Sequence, residues 1–218
     1  MTTGDGARSH EAMESRIQQL ESRLNRLESI ETIKKLQRAY GYYLDYKLWD
    51  QIAELFVDEG AAVEIANNGV YRGKERILTF YRDILGGGRS GRPAGQLNNH
   101  MQLQGVVDPD PSGKTARGRW REITMIAVRD PEGNPFNMWA EGVYENEYVC
   151  EDGIWKFGTL RWLPSFSGRL DDGVFDTTTL MPPLGEPDEP STFGPAAFVE
   201  RKLPYHYPHP ITEENIDL

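Results

Sequence analysis

Two residues separated by half the chain carry the strongest chemical suggestion. Asp45 lies in YGYYLDYKLWD (40–50), a carboxylate set among four Tyr and a Trp. It falls near the C-terminal end of a helix-patterned segment, where the helix dipole disfavours a negative charge. Its neighbours one turn away are Tyr42 at i−3 and, if the helix continues that far, Trp49 at i+4, so its side chain projects into an aromatic patch. The plain alternative is a solvated acid at a helix end. His100 lies in LNNHMQLQ (97–104). Strand alternation puts Asn98, His100, Gln102 and Gln104 on one face and Leu97, Asn99, Met101 and Leu103 on the other. The polar face is either wet surface or the lining of a water-containing cavity within a bent sheet. In the second case Asp45 accepts the imidazole N–H, fixes its tautomer and favours the cation formed when His100 takes a proton, which is general-base chemistry. Tyr40 adds a phenol able to polarise a carbonyl or assist a leaving oxygen, with Tyr42 and Tyr43 as rivals. Five residues, about 140° of helix, separate Tyr40 from Asp45, so a shared cavity has to wrap round the helix end.

Other chemistries find less support. No Ser sits in a Gly-x-Ser-x-Gly elbow, and the single Cys150 has no His near it in sequence, which argues against a nucleophile and makes Cys150 a small core residue. No His pair at ligand spacing occurs outside the tail, where His206 and His209 flank Tyr-Pro, so no metal site is expected. The acids Asp171 and Asp172 read as solvated loop residues. GGGRSGRPAG (86–95) lacks the Gly-Lys-Ser/Thr ending of a phosphate loop and reads as a flexible connection near a pocket mouth.

The elements that must position these groups follow from periodicity. Residues 14–37 place Ile17, Leu20, Leu24 and Leu27 at spacings of 3 and 4, with Ile30, Ile33 and Leu36 continuing, an amphipathic helix extending to about Lys47. Its first part suits a short coiled-coil seam or packing onto a neighbouring subunit. Gly41 interrupts the pattern and signals close approach of another group. A short helix (48–56) and a third (74–85) flank a strand at 61–66. Four long strand segments follow, 97–107, 114–128, 134–150 and 153–166, joined by turns too short for a crossover helix and therefore antiparallel. Gly105, Gly118, Gly142 and Gly158 permit such strands to bend. Arg117, Arg119 and Arg121 share one face, either a solvated row or an anion site. Helices first and a bent sheet after make an α+β fold: a curved, mostly antiparallel half-barrel closed by three N-terminal helices. The expected organisation is a disordered start (1–13), one domain (14–166) and an extended C-terminal arm (167–218). The arm holds eight of the chain's fourteen Pro, which exclude sheet interior and long helix. It also holds Phe175, Leu180, Met181, Phe193, Phe198, Tyr205 and Tyr207, anchors for docking on the domain or a neighbour.

The 218 residues suit one domain with an appendage. A net charge of −10 with scattered Arg and Lys argues against nucleic acid, and no run of roughly 20 apolar residues suggests a membrane span. The N-terminus shows no secretory pattern, so a cytoplasmic location is the default.

Together YxxxxDxKxWD closing a long helix, LWDQIAELF, GVYRGKERI, the His-bearing strand, ARGRW and EDGIWKFGTL resemble the SnoaL-like branch of the nuclear-transport-factor-2-like superfamily over roughly residues 14–166. Within it the pattern is most similar to bile acid 7α-dehydratases and, more distantly, scytalone dehydratases. The resemblance implies a cone-shaped α+β barrel with a deep pocket, subunits in dimers or trimers, no cofactor, and Tyr40, Asp45 and His100 as the catalytic set. Where scytalone dehydratases carry a second His on the next strand this chain has Trp120, and their Tyr on the strand after the second helix has no clear counterpart in AAVEIA. The expected activity is a cofactor-independent lyase, a dehydratase acting on a hydroxylated, largely apolar ring compound of steroid, polyketide or aromatic type. Tyr43, Trp49, Trp120, Trp139 and Tyr144 are its expected walls. The alternatives are a C–C lyase releasing formaldehyde from a lignin-derived aromatic, an isomerase or cyclase, or a non-catalytic binding or assembly module.

Overall fold

A computed structural model describes residues 3–93, 96–129, 132–169, 185–193 and 206. Helix α1 runs Thr3–Tyr46, about 66 Å at 1.5 Å per residue. It therefore begins well before residue 14. Its docked half buries Ile33, Gln37, Tyr40 and Leu44, spaced 4, 3 and 4, one face of a 3.6-residue period. The helix stops as Lys47 turns to a positive φ of 54°. Short α2 (Trp49–Glu54) and α3 (Lys74–Leu78) follow, and α3 widens into a π-helical stretch over Thr79–Leu85.

Six strands form one sheet: β1 (Ala62–Ile65), β2 (Val70–Arg72), β3 (Leu97–Pro109), β4 (Thr115–Arg129), β5 (Pro135–Glu151) and β6 (Ile154–Arg169). Their order is β2-β1-β6-β5-β4-β3, with β1 parallel to β6 and every other pair antiparallel. Strand β2, which did not stand out in the sequence, is only three residues long. Register breaks between Leu103 and Val106, Glu141 and Gly142, and Glu147 and Tyr148 bend the long strands. Gly105 and Gly142 fall at two of them, each where a Cβ would collide with an indole, that of Trp120 or Trp162. The resulting concave face packs on the helices, and the sheet stays open.

Both edges are guarded, as exposed edges template unwanted pairing. Along β3 lies α1, so close at Gly41 that a Cβ there would stand 2.8 Å from Gln102 Cγ and 2.9 Å from the His100 carbonyl oxygen. Along β2 lies part of the C-terminal arm. Glu189 bridges Val70, Arg72 forms a two-pronged ion pair with Glu189, and Arg76 pairs with Asp188. Behind them buried Glu64 accepts hydrogen bonds from Arg161, Ser191 and Thr192, and Phe193 is buried beneath Arg161. His206 contacts Glu145 on the outer sheet face. The remaining arm anchors, Phe175, Leu180, Met181, Phe198, Tyr205 and Tyr207, lie outside the described residues. Among the described residues no helix is long and apolar enough to cross a membrane.

Candidate active site

Register decides what the concave face presents. His100 pairs with Thr124 and Gln102 with Glu122, so the polar face of β3 points inward together with the Trp120, Glu122, Thr124 face of β4. The arginines of β4 point outward, where Arg119 meets Glu145 at 2.6 Å and Arg121 meets Glu141. Arg119 and Arg121 thus belong to cross-strand ion pairs.

Asp45 reaches the β3 edge from the last turn of α1. Its Oδ1 accepts the backbone N–H of His100 at 2.7 Å and the ring at Nδ1, 3.0 Å away. A carboxylate can only accept, so Nδ1 carries a proton, and in the neutral ring the lone pair is on Nε2. Both side chains are mostly shielded, 17% exposed for His100 and 13% for Asp45. One oxygen thereby fixes strand position, ring orientation and tautomer. Asp45 stands behind the imidazole, facing a groove it shares with Arg38 and Tyr42, while His100 also lines an inner cavity of ≈ 150 Å³.

Tyr40, Tyr81, Tyr144 and Glu122 form the polar part of that cavity. The Tyr40 and Tyr81 hydroxyls are 2.9 Å apart, and Tyr144 donates to Glu122 at 3.1 Å. Tyr40 and Tyr144 cross edge to face at 5.9 Å. Burial pushes all three phenols well above their ordinary range, so they serve as neutral donors. Glu122 is 2% exposed. Burial raises its carboxyl above the usual value, opposed in part by His100 whenever that ring is protonated and by hydrogen bonds from Tyr144, Thr124 and Gln102. Apolar walls come from Leu44, Ile65, Ile126, Met138 and Trp162, with half-exposed Leu85 among them. The Trp162 indole N–H is buried with no acceptor among the described residues.

The three expected catalytic residues are thus brought together: Tyr40 and His100 share the cavity, and Asp45 holds His100 from outside it. Of the expected wall residues only Tyr144 lines it. Trp139 lies on the outer sheet face, 36% exposed. Trp120 is buried deeper in the cone, donating at 2.9 Å to Tyr148, whose hydroxyl donates at 2.8 Å to Gln37. Trp49 stacks behind Tyr81 and donates to the Arg89 carbonyl, and Tyr43 packs against the core without reaching the cavity. Glu122, Tyr81 and Trp162 were missed. Glu122 was recoverable, because the alternation that turns Arg117, Arg119 and Arg121 outward turns Glu122 inward. Tyr81 and Trp162 depend on how a π-helical turn and a bulged sheet meet, which local pattern does not encode.

The sequence pattern of the SnoaL-like domain family matches residues 25–161. The chain belongs to that family. Three solved structures share the fold of this SnoaL-like protein. A type 2 hexachlorocyclohexane dehydrochlorinase, LinA, is 24% identical over 67% of this chain and 91% of its own, with a TM-score of 0.56. LinA-type3 from Novosphingobium barchaimii is 22% identical over 73% and 99%, TM-score 0.55. A putative scytalone dehydratase from Novosphingobium aromaticivorans is 20% identical over 75% and 98%, TM-score 0.55. At these identities the likeness carries the α+β fold, helices on a curved six-stranded sheet, and the chemistry has to be argued from the site.

Proposed function

We propose that this SnoaL-like protein is a cofactor-independent dehydratase acting on a hydroxylated, single-ring, largely apolar compound. The observation that carries the reading is that one shielded cavity is lined by a histidine whose Nδ1 is turned to Asp45 and by a carboxyl that burial pushes above its ordinary value. His100 Nε2 takes a proton from a carbon next to a carbonyl or similar activating group. The C–H electron pair becomes the new C=C bond, the C–O bond breaks, and the hydroxyl leaves as water with the proton of Glu122. The imidazolium and carboxylate left behind exchange that proton and reset the site. Tyr40 donates to the oxygen on which negative charge develops. Acid–base assistance of this kind supplies about 10²–10⁴-fold each.

Two magnitudes narrow the reaction. A cavity of ≈ 150 Å³ matches the size of engineered cavities that take benzene, which favours a single ring over a steroid. The similar dehydrochlorinase acts, by its name, on a single six-membered ring carrying chlorine. Chloride departs as a stable anion, and a buried carboxyl facing it would be of no use. Hydroxide needs a proton, and Glu122 is placed to give one. This favours C–O over C–Cl cleavage here.

The test is a mass-spectrometric screen of single-ring hydroxy-carbonyl compounds for loss of water, with His100→Gln as control. Water loss by the wild type, abolished in the variant while a non-reactive ring analogue still binds, is the expected result. Formaldehyde release would replace the dehydratase by a C–C lyase. Binding equal in both proteins with no turnover of any compound would leave only a binding module.

A further inference from the structure

Helix α1 carries two apolar stripes that face different ways. The docked half presents Ile33, Gln37, Tyr40 and Leu44 to the protein's own sheet. Met13, Ile17, Leu20, Leu24 and Leu27, spaced 4, 3, 4 and 3, form a second stripe. At 100° per residue its centre is rotated by about 150° from the docked one, so this domain cannot cover it. Each of the five is open to solvent, by 61, 49, 48, 54 and 61% in chain order. The spacing makes Ile17 and Leu24 heptad a positions and Met13, Leu20 and Leu27 d positions. The next a and d positions are Glu31 and Lys34, so the stripe ends where the helix docks. Arg26, on the far side of the helix from the stripe, ties that point to the Pro109 carbonyl at 2.9 Å.

The flanking charges specify the partner. Positions e are Glu14, Glu21 and Glu28, positions g Arg16 and Arg23, all of them exposed. In a parallel pair of identical helices g of one chain faces the following e of the other, so Arg16 meets Glu21 and Arg23 meets Glu28, twice each. In an antiparallel pair g faces g and e faces e, and every contact is repulsive. We propose that residues 13–28 of α1 form a parallel two-stranded coiled coil with the same segment of a second copy of this chain, β-branched Ile17 at a and Leu at d favouring two strands. Most of this segment precedes the family-matched region, which begins at residue 25. It is an assembly element added to the domain, independent of what the cavity does.

Charge exchange tests this without touching the core. In sedimentation equilibrium on the full chain, Glu21→Arg with Glu28→Arg, and separately Arg16→Glu with Arg23→Glu, each weaken self-association at least about tenfold. Mixing the two variants restores it, because each supplies the other's complement. In a Cys150→Ser background, Leu27→Cys oxidises to a disulfide-linked dimer, as only a parallel pair brings the two positions 27 together. Overturning results are a monomeric wild type, unchanged association in both charge variants, no recovery on mixing, a trimer, or cross-linking of Leu27→Cys only to Met13→Cys.

Discussion

Replacing Glu122 by Gln keeps shape and removes a titrating proton from the most buried part of the cavity. The folded carboxyl is held above the unfolded value of 4.5 by burial. The folded state therefore holds the proton more tightly than the unfolded chain. The stability this group contributes is complete below about pH 4.5 and is lost as the pH rises through the folded value. Within that window the wild type loses about 1.4 kcal/mol of stability per pH unit from this group alone. Gln does not titrate, so subtracting its curve from the wild-type curve cancels the other acids and isolates that slope. Urea unfolding followed by Trp fluorescence, at half-unit steps from about pH 4 to pH 8, measures it. The Glu122→Gln variant should equal or exceed the wild type in stability at neutral pH while kcat falls about 10²–10⁴-fold. Such a divergence is expected where a group is retained for chemistry at a cost to folding. Stability curves of the wild type and of Glu122→Gln running parallel across the whole range would falsify the assignment of a retained proton to Glu122.

Two further perturbations probe the frame around His100. Asp45→Asn leaves an amide that can accept from the His100 backbone or the ring but no longer offers a charge to the imidazolium. kcat/KM should fall about 10²–10⁴-fold, while unfolding should lose about 1–3 kcal/mol from the weakened hydrogen bonds; steady-state kinetics beside denaturation at one pH reads both, and full activity would remove Asp45 from the mechanism. Gly41→Ala tests the helix–strand approach: helix propensity favours Ala by about 1 kcal/mol, but the added carbon meets the His100 carbonyl at 2.9 Å, and overpacking at about 1–3 kcal/mol should win, lowering both Tm and turnover.

Much of the site was legible before folding was considered. A polar strand face containing His100, and a carboxylate on an aromatic helix end, raised a shared hollow beside the plainer reading of wet surface. The turns between the four long strands forced antiparallel neighbours, and alternation alone sorted the side chains of each strand into two faces. The wall aromatics show the limit. Which face Trp120 and Trp139 take is settled only by cross-strand register: Trp120 stands opposite inward Tyr144, whereas Trp139 stands opposite Met125 and its indole is sent outward. Trp162 enters because the break at Gly142 clears room for its ring, and the Glu122 carboxyl is pushed above its ordinary value only through the depth at which β4 is covered.

From the sequence alone come the types of the elements other than β2 and the π-helical turn, the shared face of the β4 arginines, the polar face that carries His100 and the apolar heptads of α1, since each rests on a period of two or of 3.6 that neighbouring residues establish between themselves. Tertiary structure alone decides that the α1 stripes face apart, that the Asp45 oxygen holds both strand and ring, and that the cavity measures ≈ 150 Å³. Those depend on bends at three bulges and on the angle at which a helix crosses a strand, distances set by groups far apart along the chain.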